Sequence, residues 1–457
     1  MRARGTARRA ARGTVRRTAR RTARKNCRSA VILFLLVAGF AGTVFGDEEV
    51  QTRAAEWTKL REEREGDREP YRAGRLERTL LEIEKAERPP ITKLNLFGFY
   101  PRVQGIAQGS RNAIGVRFWQ PDIDGSRISA SGSAFLSVNR YQYYDFTLGR
   151  IAHGPEGGFP ERTVKADDVY ELGELQVRRG SDTFTLDSFV RYEDYTQLSY
   201  FGLGSDSRVE DETDYRLRTA TAGLTAGWRW RHLGLMARGG VLETGLMPGT
   251  ADDTPSTETI FDDASAPGLD AAPDFWWGSL QAAWDRRDVA FNPKRGIFLA
   301  VQIARYEDQD RNDFAFTRFG ADARGYVSLG SPQRVLALRA LYGNENADAG
   351  ARVPFYLQEF LGGSHTLRGF ASFRFRGTDS MLLQAEYRWE PAGAIELAGY
   401  VDTGQVAAST SEISLSEFET SYGVGLRFKT WQAVMIRMDL AWSEEGTRFL
   451  FRFSQAW

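Results

Sequence analysis

Residues 381–390 read Met-Leu-Leu-Gln-Ala-Glu-Tyr-Arg-Trp-Glu, and their alternation decides the fold. Met381, Leu383, Ala385, Tyr387 and Trp389 fall on one face of an extended chain, with Gln384, Glu386, Arg388 and Glu390 on the other, because successive side chains of a strand point to opposite faces. Residues 434–442 repeat the pattern, with Val434, Ile436, Met438, Leu440 and Trp442 opposite Arg437 and Asp439. Residues 449–457 repeat it again, with Phe449, Phe451, Phe453 and Trp457 opposite Arg452 and Ser454. A soluble sandwich also alternates, but it turns its apolar face inward and carries few charges on its strands. A membrane barrel inverts this: apolar residues face lipid, charges face a wet lumen, and ring closure satisfies the backbone. The expected fold class is therefore all-β, a sixteen-stranded transmembrane antiparallel β-barrel of the outer membrane.

Working outward from that segment, strands are expected at 112–119, 127–138, 141–150, 171–179, 182–195, 213–230, 233–242, 275–285, 295–306, 313–328, 333–344, 379–390, 393–402, 418–429, 432–442 and 447–457, sixteen in all. Long connections at 151–170, 196–212, 243–274, 345–378 and 403–417 follow odd-numbered strands. Those after even-numbered strands are short, such as Arg231-His232, Pro391-Ala392 and Thr430-Trp431. Outer-membrane barrels segregate long external loops from short periplasmic turns in this way.

Composition agrees once the N-terminus is set aside. The 457 residues hold 60 basic and 60 acidic groups, with 12% aromatics and 46 glycines. Residues 1–46 contain eleven arginines, Lys25 and no acid, so the remainder carries 48 basic against 60 acidic groups, a net of −12. The apolar run 30–42 is 13 residues long, short of the ~20 that cross a bilayer as a helix. Basic block, apolar run and small residues in succession read as a cleaved signal peptide over 1–46. A nucleic-acid-binding arm or a transit peptide leaves the apolar run unexplained, so no nucleic-acid partner is expected. Cys27, the single cysteine, leaves with the signal. Of the 44 residues 47–90, 23 are charged; 47–97 reads as a charged periplasmic segment, helical around 76–85 and ended by Pro89-Pro90.

The longest late connection contains Gly362-Gly363-Ser364-His365-Thr366-Leu367-Arg368-Gly369-Phe370. Leu367-Arg368-Gly369-Phe370 resembles the Val-Arg-Gly-Phe/Tyr motif of the BamA/TamA family of outer-membrane assembly and translocation barrels, also called the bacterial surface antigen family. That resemblance implies sixteen strands with the motif in the loop between the eleventh and twelfth, where the strand count also puts it. Gln384-Ala385-Glu386-Tyr387-Arg388 resembles the family's acidic twelfth-strand motif, and Tyr400-Val401-Asp402-Thr403-Gly404 its Phe-x-Asp-x-Gly motif. Residues 201–206, 285–288 and 292–296 are similar to its recurrent loop and turn patterns. The likeness covers about 98–457, taken as the barrel.

Alternation directs Glu386 and Asp402 inward, so a loop at about 345–378 folded into the lumen would set Arg368 against both. The resemblance implies that Arg368 locks the loop to this wall, with Gly369 turning the backbone at the tip. Breaking such a pair costs about 3–5 kcal/mol if buried, against ~0–1 kcal/mol for an exposed arginine. Phe449, Phe451, Phe453 and terminal Trp457 resemble the C-terminal assembly signal of such barrels.

No catalytic or metal site and no cofactor is expected. His153, His232 and His365 have no ligand spacing, Gly-x-Ser-x-Gly and phosphate-loop patterns are missing, and Asp252, Asp253, Asp262, Asp263 and Asp270 lack an EF-hand spacing. The expected function is non-enzymatic: assisting insertion or translocation of proteins at the bacterial outer membrane, where the resemblance implies a weak seam between first and last strands that opens and templates a client strand, as unpaired strand edges do. Expected partners are outer-membrane lipid, unfolded outer-membrane protein clients and a periplasmic partner. The last would replace the family's POTRA domains, which the charged segment is too short to hold. A passive solute channel is the alternative. An outer-membrane hydrolase ranks third, since His153 and His232 sit in connections assigned to opposite ends.

Overall fold

The computed structural model describes residues 97–104, 106, 113–120, 123–150, 183–289, 292–310, 313–392, 394–429 and 434–452. Sixteen strands form one antiparallel sheet, each bonded to its neighbours in chain order, and a two-stranded hairpin stands apart. The strands are β1 Phe99–Gln104, β2 Ala113–Gln120, β3 Ser129–Ser137, β4 Gln142–Arg150, β5 Thr183–Tyr200, β6 Thr213–Trp230, β7 Leu233–Pro248, β8 Phe275–Asp285, β9 Gly296–Asp308, β10 Phe316–Ser328, β11 Arg334–Ala347, β12 Glu359–Leu361, β13 Phe375–Gly377, β14 Asp379–Ala392, β15 Ile395–Ala407, β16 Glu419–Lys429, β17 Val434–Ser443 and β18 Gly446–Arg452. The small hairpin pairs β12 with β13, inside the connection from β11 to β14.

The two faces of the sheet are inverted relative to a soluble protein. On β14, Tyr387 and Trp389 are each 42% exposed, whereas Glu386 and Arg388 are 0% and 1% exposed. On β15 Leu397 and Val401 are exposed and Glu396 and Asp402 buried; on β5 Phe184, Leu186, Val190 and Tyr192 face outward. Apolar side chains outside and ions inside are the arrangement of a barrel surrounded by lipid. No helix among the described residues is long and apolar enough to cross a membrane; the strands make the crossing.

From β5 onward the strand order is the expected one, but the first four positions differ. A strand unforeseen in the sequence, β1, precedes the expected first strand, and β4 pairs directly with β5 over Gln142↔Asp194 to Arg150↔Leu186. No place remains between them for the strand expected at 171–179, which lies outside the described residues. The two errors compensate, so sixteen survives as the count. The connection between β4 and β5 therefore follows an even-numbered strand and belongs to the end with the short turns. His153 and His232 are consequently in connections at the same end of the sheet, not at opposite ones. Pro101 explains why β1 escaped notice: proline donates nothing to a ladder and is tolerated on edge strands.

The central strands are long. β5 and β6 each have 18 residues, and β10 and β11 share thirteen register pairs. Among the described residues β1 pairs with β2 over six positions and β18 with β17 over seven. Among the described residues no register joins β1 to β18.

The short turns are built locally. Arg231 adopts a positive φ of 52° between β6 and β7. Between β8 and β9, Asp288 Oδ1 accepts the backbone N–H groups of Val289, Lys294 and Arg295. Gly296 there has φ 111°, and a Cβ on it would meet the Arg286 carbonyl at 2.2 Å. The turn pattern recognised at 285–296 is thus a backbone requirement.

Candidate functional site

The connection after β11 leaves the sheet at Asp348, where hydrogen bonds from Arg305 of 2.8 and 2.7 Å hold its carboxyl below the usual range. It then crosses Val353, Phe355 and Leu357, passes β12, and reverses at Gly362 and Gly363, whose φ values of 115° and 94° favour glycine. Thr366 closes this turn: its Oγ1 accepts the Gly362 N–H at 2.9 Å and donates to the Gly362 carbonyl at 3.0 Å. Leu367 and Phe370 are fully buried in a cluster with Leu361, Phe375, Leu382 and Val406, the Phe370 and Phe375 rings lying 5.1 Å apart.

Between these two apolar anchors, Arg368 points the other way, into the charged wall. Its Nε donates to Asp402 Oδ2 and its Nη2 to Asp402 Oδ1, both at 2.7 Å, while Nη1 donates to Glu386 Oε2 at 2.8 Å. Its backbone N–H also donates to Asp402 at 3.3 Å. The guanidinium lies over the Tyr400 ring, 3.3 Å from its centroid. Arg368, Glu386 and Asp402 are all inaccessible to solvent. The bidentate fork uses the planar geometry special to arginine, which lysine cannot reproduce. Gln384, on the β14 inner face, completes the contact by donating to Asp402 Oδ1 and to the Thr366 carbonyl, each at 2.9 Å.

Glycines make the fit. The expectation for Gly369 was a tight turn at the tip; the structure gives a different reason. Its φ is not in the left-handed region, but an added Cβ would meet Ser421 Cβ at 2.6 Å and Ser443 Cβ at 2.9 Å, so glycine is needed for close approach to the wall. Gly404 similarly leaves room for Leu361, whose Cδ1 lies 3.0 Å from where a Cβ would stand. Gly423, paired with Tyr400, clears the space that the Tyr400 ring fills, at 2.4 Å from an ideal Cβ. We expect Gly369→Val to lift the loop tip and to cost roughly 1–3 kcal/mol through overpacking. Faster cleavage within 362–374 by an added protease is the readout, and cleavage at the parent rate would contradict the close approach.

The sequence did not reveal how far the ionic network extends. Glu386 also accepts from Arg427 and Arg388, at 2.6 Å each, so one carboxylate holds three guanidinium groups. Arg427 reaches Glu396 at 3.0 Å, and Lys294 and Lys429 meet on Glu390 at 2.9 and 2.7 Å. The signal was available as opposite charges on inward positions of adjacent strands, but alternation gives a face and not a register.

The other loops bear on the same region. In the 201–206 pattern, the Gly204 N–H donates to the Arg376 carbonyl at 2.7 Å, and Ser205 Oγ exchanges hydrogen bonds with both backbone groups of Val406, at 3.2 and 3.1 Å. The β5–β6 loop thus clasps β13 and the end of β15. Among the candidate C-terminal residues, Phe449 and Phe451 face outward and are exposed; Phe453 and Trp457 lie outside the described residues, as do 1–96, which hold the expected signal and nearly all of the charged segment. His232 Nδ1 lies 3.0 Å from the Asp285 carbonyl, and the His365 carbonyl accepts from Arg339 at 3.3 Å. His153 is outside the described residues. In the acidic loop, Asp263 pairs with Arg352 at 2.6 Å and Asp262 caps the backbone of its own turn. Among the described residues no three His, Cys, Asp or Glu side chains gather as a metal-ligand set.

An antiparallel sheet of sixteen strands with lipid-compatible outer residues, a charged inner wall and a long loop bonded to that wall defines an outer-membrane barrel with an inward-folded loop. The chain belongs to the Omp85 superfamily, whose domain model matches residues 95–457, and this bears out the resemblance seen in the motif at 367–370. A search of the curated proteins gave no match. Among solved structures it is similar to BamA from Haemophilus ducreyi lacking POTRA domains 1-3, at 14% identity over 78% of this chain and 68% of that one, TM-score 0.47. It is also similar to CdiB from Escherichia coli, at 13% identity over 79% of this chain and 63% of that one, TM-score 0.45. A weaker likeness is to Wzi from Escherichia coli, titled a carbohydrate-binding barrel involved in capsule assembly, at 10% identity over 85% and 86% of the two chains, TM-score 0.31. At these TM-scores the likenesses carry no further argument; the family match does.

Proposed function

We propose that this chain assists insertion or translocation of proteins at the bacterial outer membrane, without catalysing a reaction, and that Arg368 locks the inward loop to the barrel wall through Asp402 and Glu386. The observation that carries the reading is the fully buried Arg368 fork on strands β14 and β15, in a chain of the Omp85 superfamily. A weak seam between the first and last strands is part of this reading, since an unpaired strand edge offers donors and acceptors to an incoming strand. In this reading the long-loop end faces outward, lipid surrounds the wall, unfolded outer-membrane proteins are the clients, and a periplasmic partner delivers them. Phe449, Phe451, Phe453 and Trp457 serve the chain's own assembly as its C-terminal signal.

Depleting the protein in its host is the test. Accumulation of unfolded outer-membrane proteins in the periplasm is the expected result. Unchanged outer-membrane protein levels together with steady conductance of the purified chain in planar bilayers would replace this reading with that of a passive channel.

A further inference from the structure

The outer face of β6–β8 carries a row of indoles at its short-turn end. Trp230 on β6 and Trp284 on β8 both pair in register with Leu233 of β7, so they stand about 10 Å apart, at two strand spacings. Trp228 stacks on Trp230, with ring centroids 6.4 Å apart and planes 8° from parallel. Each indole of the row carries a guanidinium: that of Arg231 lies 5.2 Å from the Trp230 ring centroid and that of Arg286 5.8 Å from the Trp284 centroid. Both arginines are exposed. The acids nearest to them in the chain are committed elsewhere, since Asp285 pairs with the inward Arg287 at 2.7 Å and Asp288 accepts three backbone N–H groups of its own turn. The row therefore presents two cations, held over aromatic faces, with no carboxylate set against them.

Above this row the face is apolar and, at one place, hollow. Gly239 and Gly278 stand directly opposite each other on β7 and β8, and a groove of about 740 Å³ opens there, walled by Leu224, Ala226, Ala237 and Leu280. Its size lies within the roughly 300–1,000 Å³ of small-molecule sites. The backbone does not demand glycine at Gly278: an added Cβ would find only the Arg238 carbonyl, at 3.8 Å. Glycine inside a strand costs stability, and where sterics do not require it a closely approaching ligand is one reason for it. Ala226 and Leu224 are four and six residues above Trp230. At ~3.3 Å per residue and a strand tilt of ~45° the groove lies roughly 9–14 Å from the indoles, inside the leaflet that meets the short turns, half of a core ~30 Å thick.

We propose that this face binds one anionic phospholipid of the phosphatidylglycerol type from the leaflet at the short-turn end. Its phosphate and ester oxygens, all acceptors, meet the guanidinium groups of Arg231 and Arg286, which only donate, and one acyl chain runs up the wall into the groove at Gly239 and Gly278. Charge complementarity sets the headgroup, and the distance from indoles to groove sets the leaflet. The site rests on the outer face alone and stands whatever the barrel transports.

Native mass spectrometry of the purified full chain, titrated with phosphatidylglycerol, tests it. One lipid is expected to be retained by the parent. The double variant Arg231→Gln/Arg286→Gln loses charge-assisted hydrogen bonds, and its dissociation constant is expected to rise at least about tenfold. Gly278→Leu keeps both arginines, fills the groove and is expected to weaken binding by a similar factor; it adds a side chain on the lipid face, and the gel shift of folded against heated barrel verifies that it folds. Arg334→Gln, at an exposed arginine of the short-turn end of β11, serves as the control and binds as the parent does. Phosphatidylcholine, whose cationic head opposes the two arginines, is expected to bind more weakly. Parent affinity in the double variant or in folded Gly278→Leu, equal affinity for phosphatidylcholine, or an equal loss in Arg334→Gln would each overturn the site.

Discussion

Arg368→Ala releases the inward loop. The substitution removes three side-chain hydrogen bonds at once, two of them on Asp402, which among the described residues keeps only Gln384 as a side-chain donor. Glu386 is buffered by Arg388 and Arg427. An uncompensated buried carboxylate costs about 3–5 kcal/mol, comparable to what burial of the apolar anchors Leu367 and Phe370 contributes at roughly 1.5–3 kcal/mol each, and the anchors must also offset the entropy of ordering the chain around them. The measurable consequence is protease cleavage within 362–374 and a rise in conductance as the loop leaves the lumen. A variant with an intact loop and parent conductance would show that the fork does not hold the loop. Arg368→Lys is expected to resemble alanine more than the parent, because a point charge cannot span Asp402 and Glu386 together.

Glu386→Gln has the larger effect on the barrel itself. The amide keeps the shape of the carboxylate but leaves Arg368, Arg388 and Arg427 converging on a neutral group, where before they shared one full charge. Asp402 and Glu396 balance two of the three from one side each. A loss of the same order, about 3–5 kcal/mol for breaking a buried ionic contact, applies to wall and loop together, since β14, β15 and β16 meet at this residue. We expect a lowered unfolding temperature in detergent, read by the mobility shift of folded against heated barrel on a gel. An unfolding temperature equal to that of the parent would mean that the arginines are balanced without Glu386.

The faces of the barrel strands were legible because period-two alternation needs no knowledge of neighbours. Residues 381–390 alone separate Tyr387 and Trp389 from Glu386 and Arg388, and the structure places them on opposite sides. What alternation cannot give is register. The contacts among Glu386, Arg427 and Glu396 depend on how β14, β15 and β16 slide against each other, and irregularities at Trp389/Ala392 and Phe428/Lys429 shift that register. β1 carries Pro101, which donates nothing to a ladder and blurs the strand pattern, and the strand expected at 171–179 has no place between β4 and β5, which pair directly; the two differences cancel in the count. The reversed assignment of the connection after β4 followed from those two errors.

The candidate site was legible by a different route. Leu367-Arg368-Gly369-Phe370 is too short to dictate its own conformation, and its resemblance to a family motif pointed to Asp402 and Glu386 as partners. Physical reading added the inward direction of both carboxylates. Neither source showed that Gly369 matters for its closeness to Ser421 and Ser443, nor that Ser364 accepts from Arg437 and Arg452, because both depend on the path of a loop through three dimensions.

The most direct test of the locked loop is amide exchange across residues 362–370 in the unaltered protein. The Gly363, Thr366 and Phe370 N–H groups are bonded within the turn, and those of Gly362 and Arg368 to the side chains of Thr366 and Asp402. Exchange of this segment as slow as that of β14 and β15 is the expected result. Exchange as fast as that of the exposed loop residues Asp252 and Asp253 would contradict the lock.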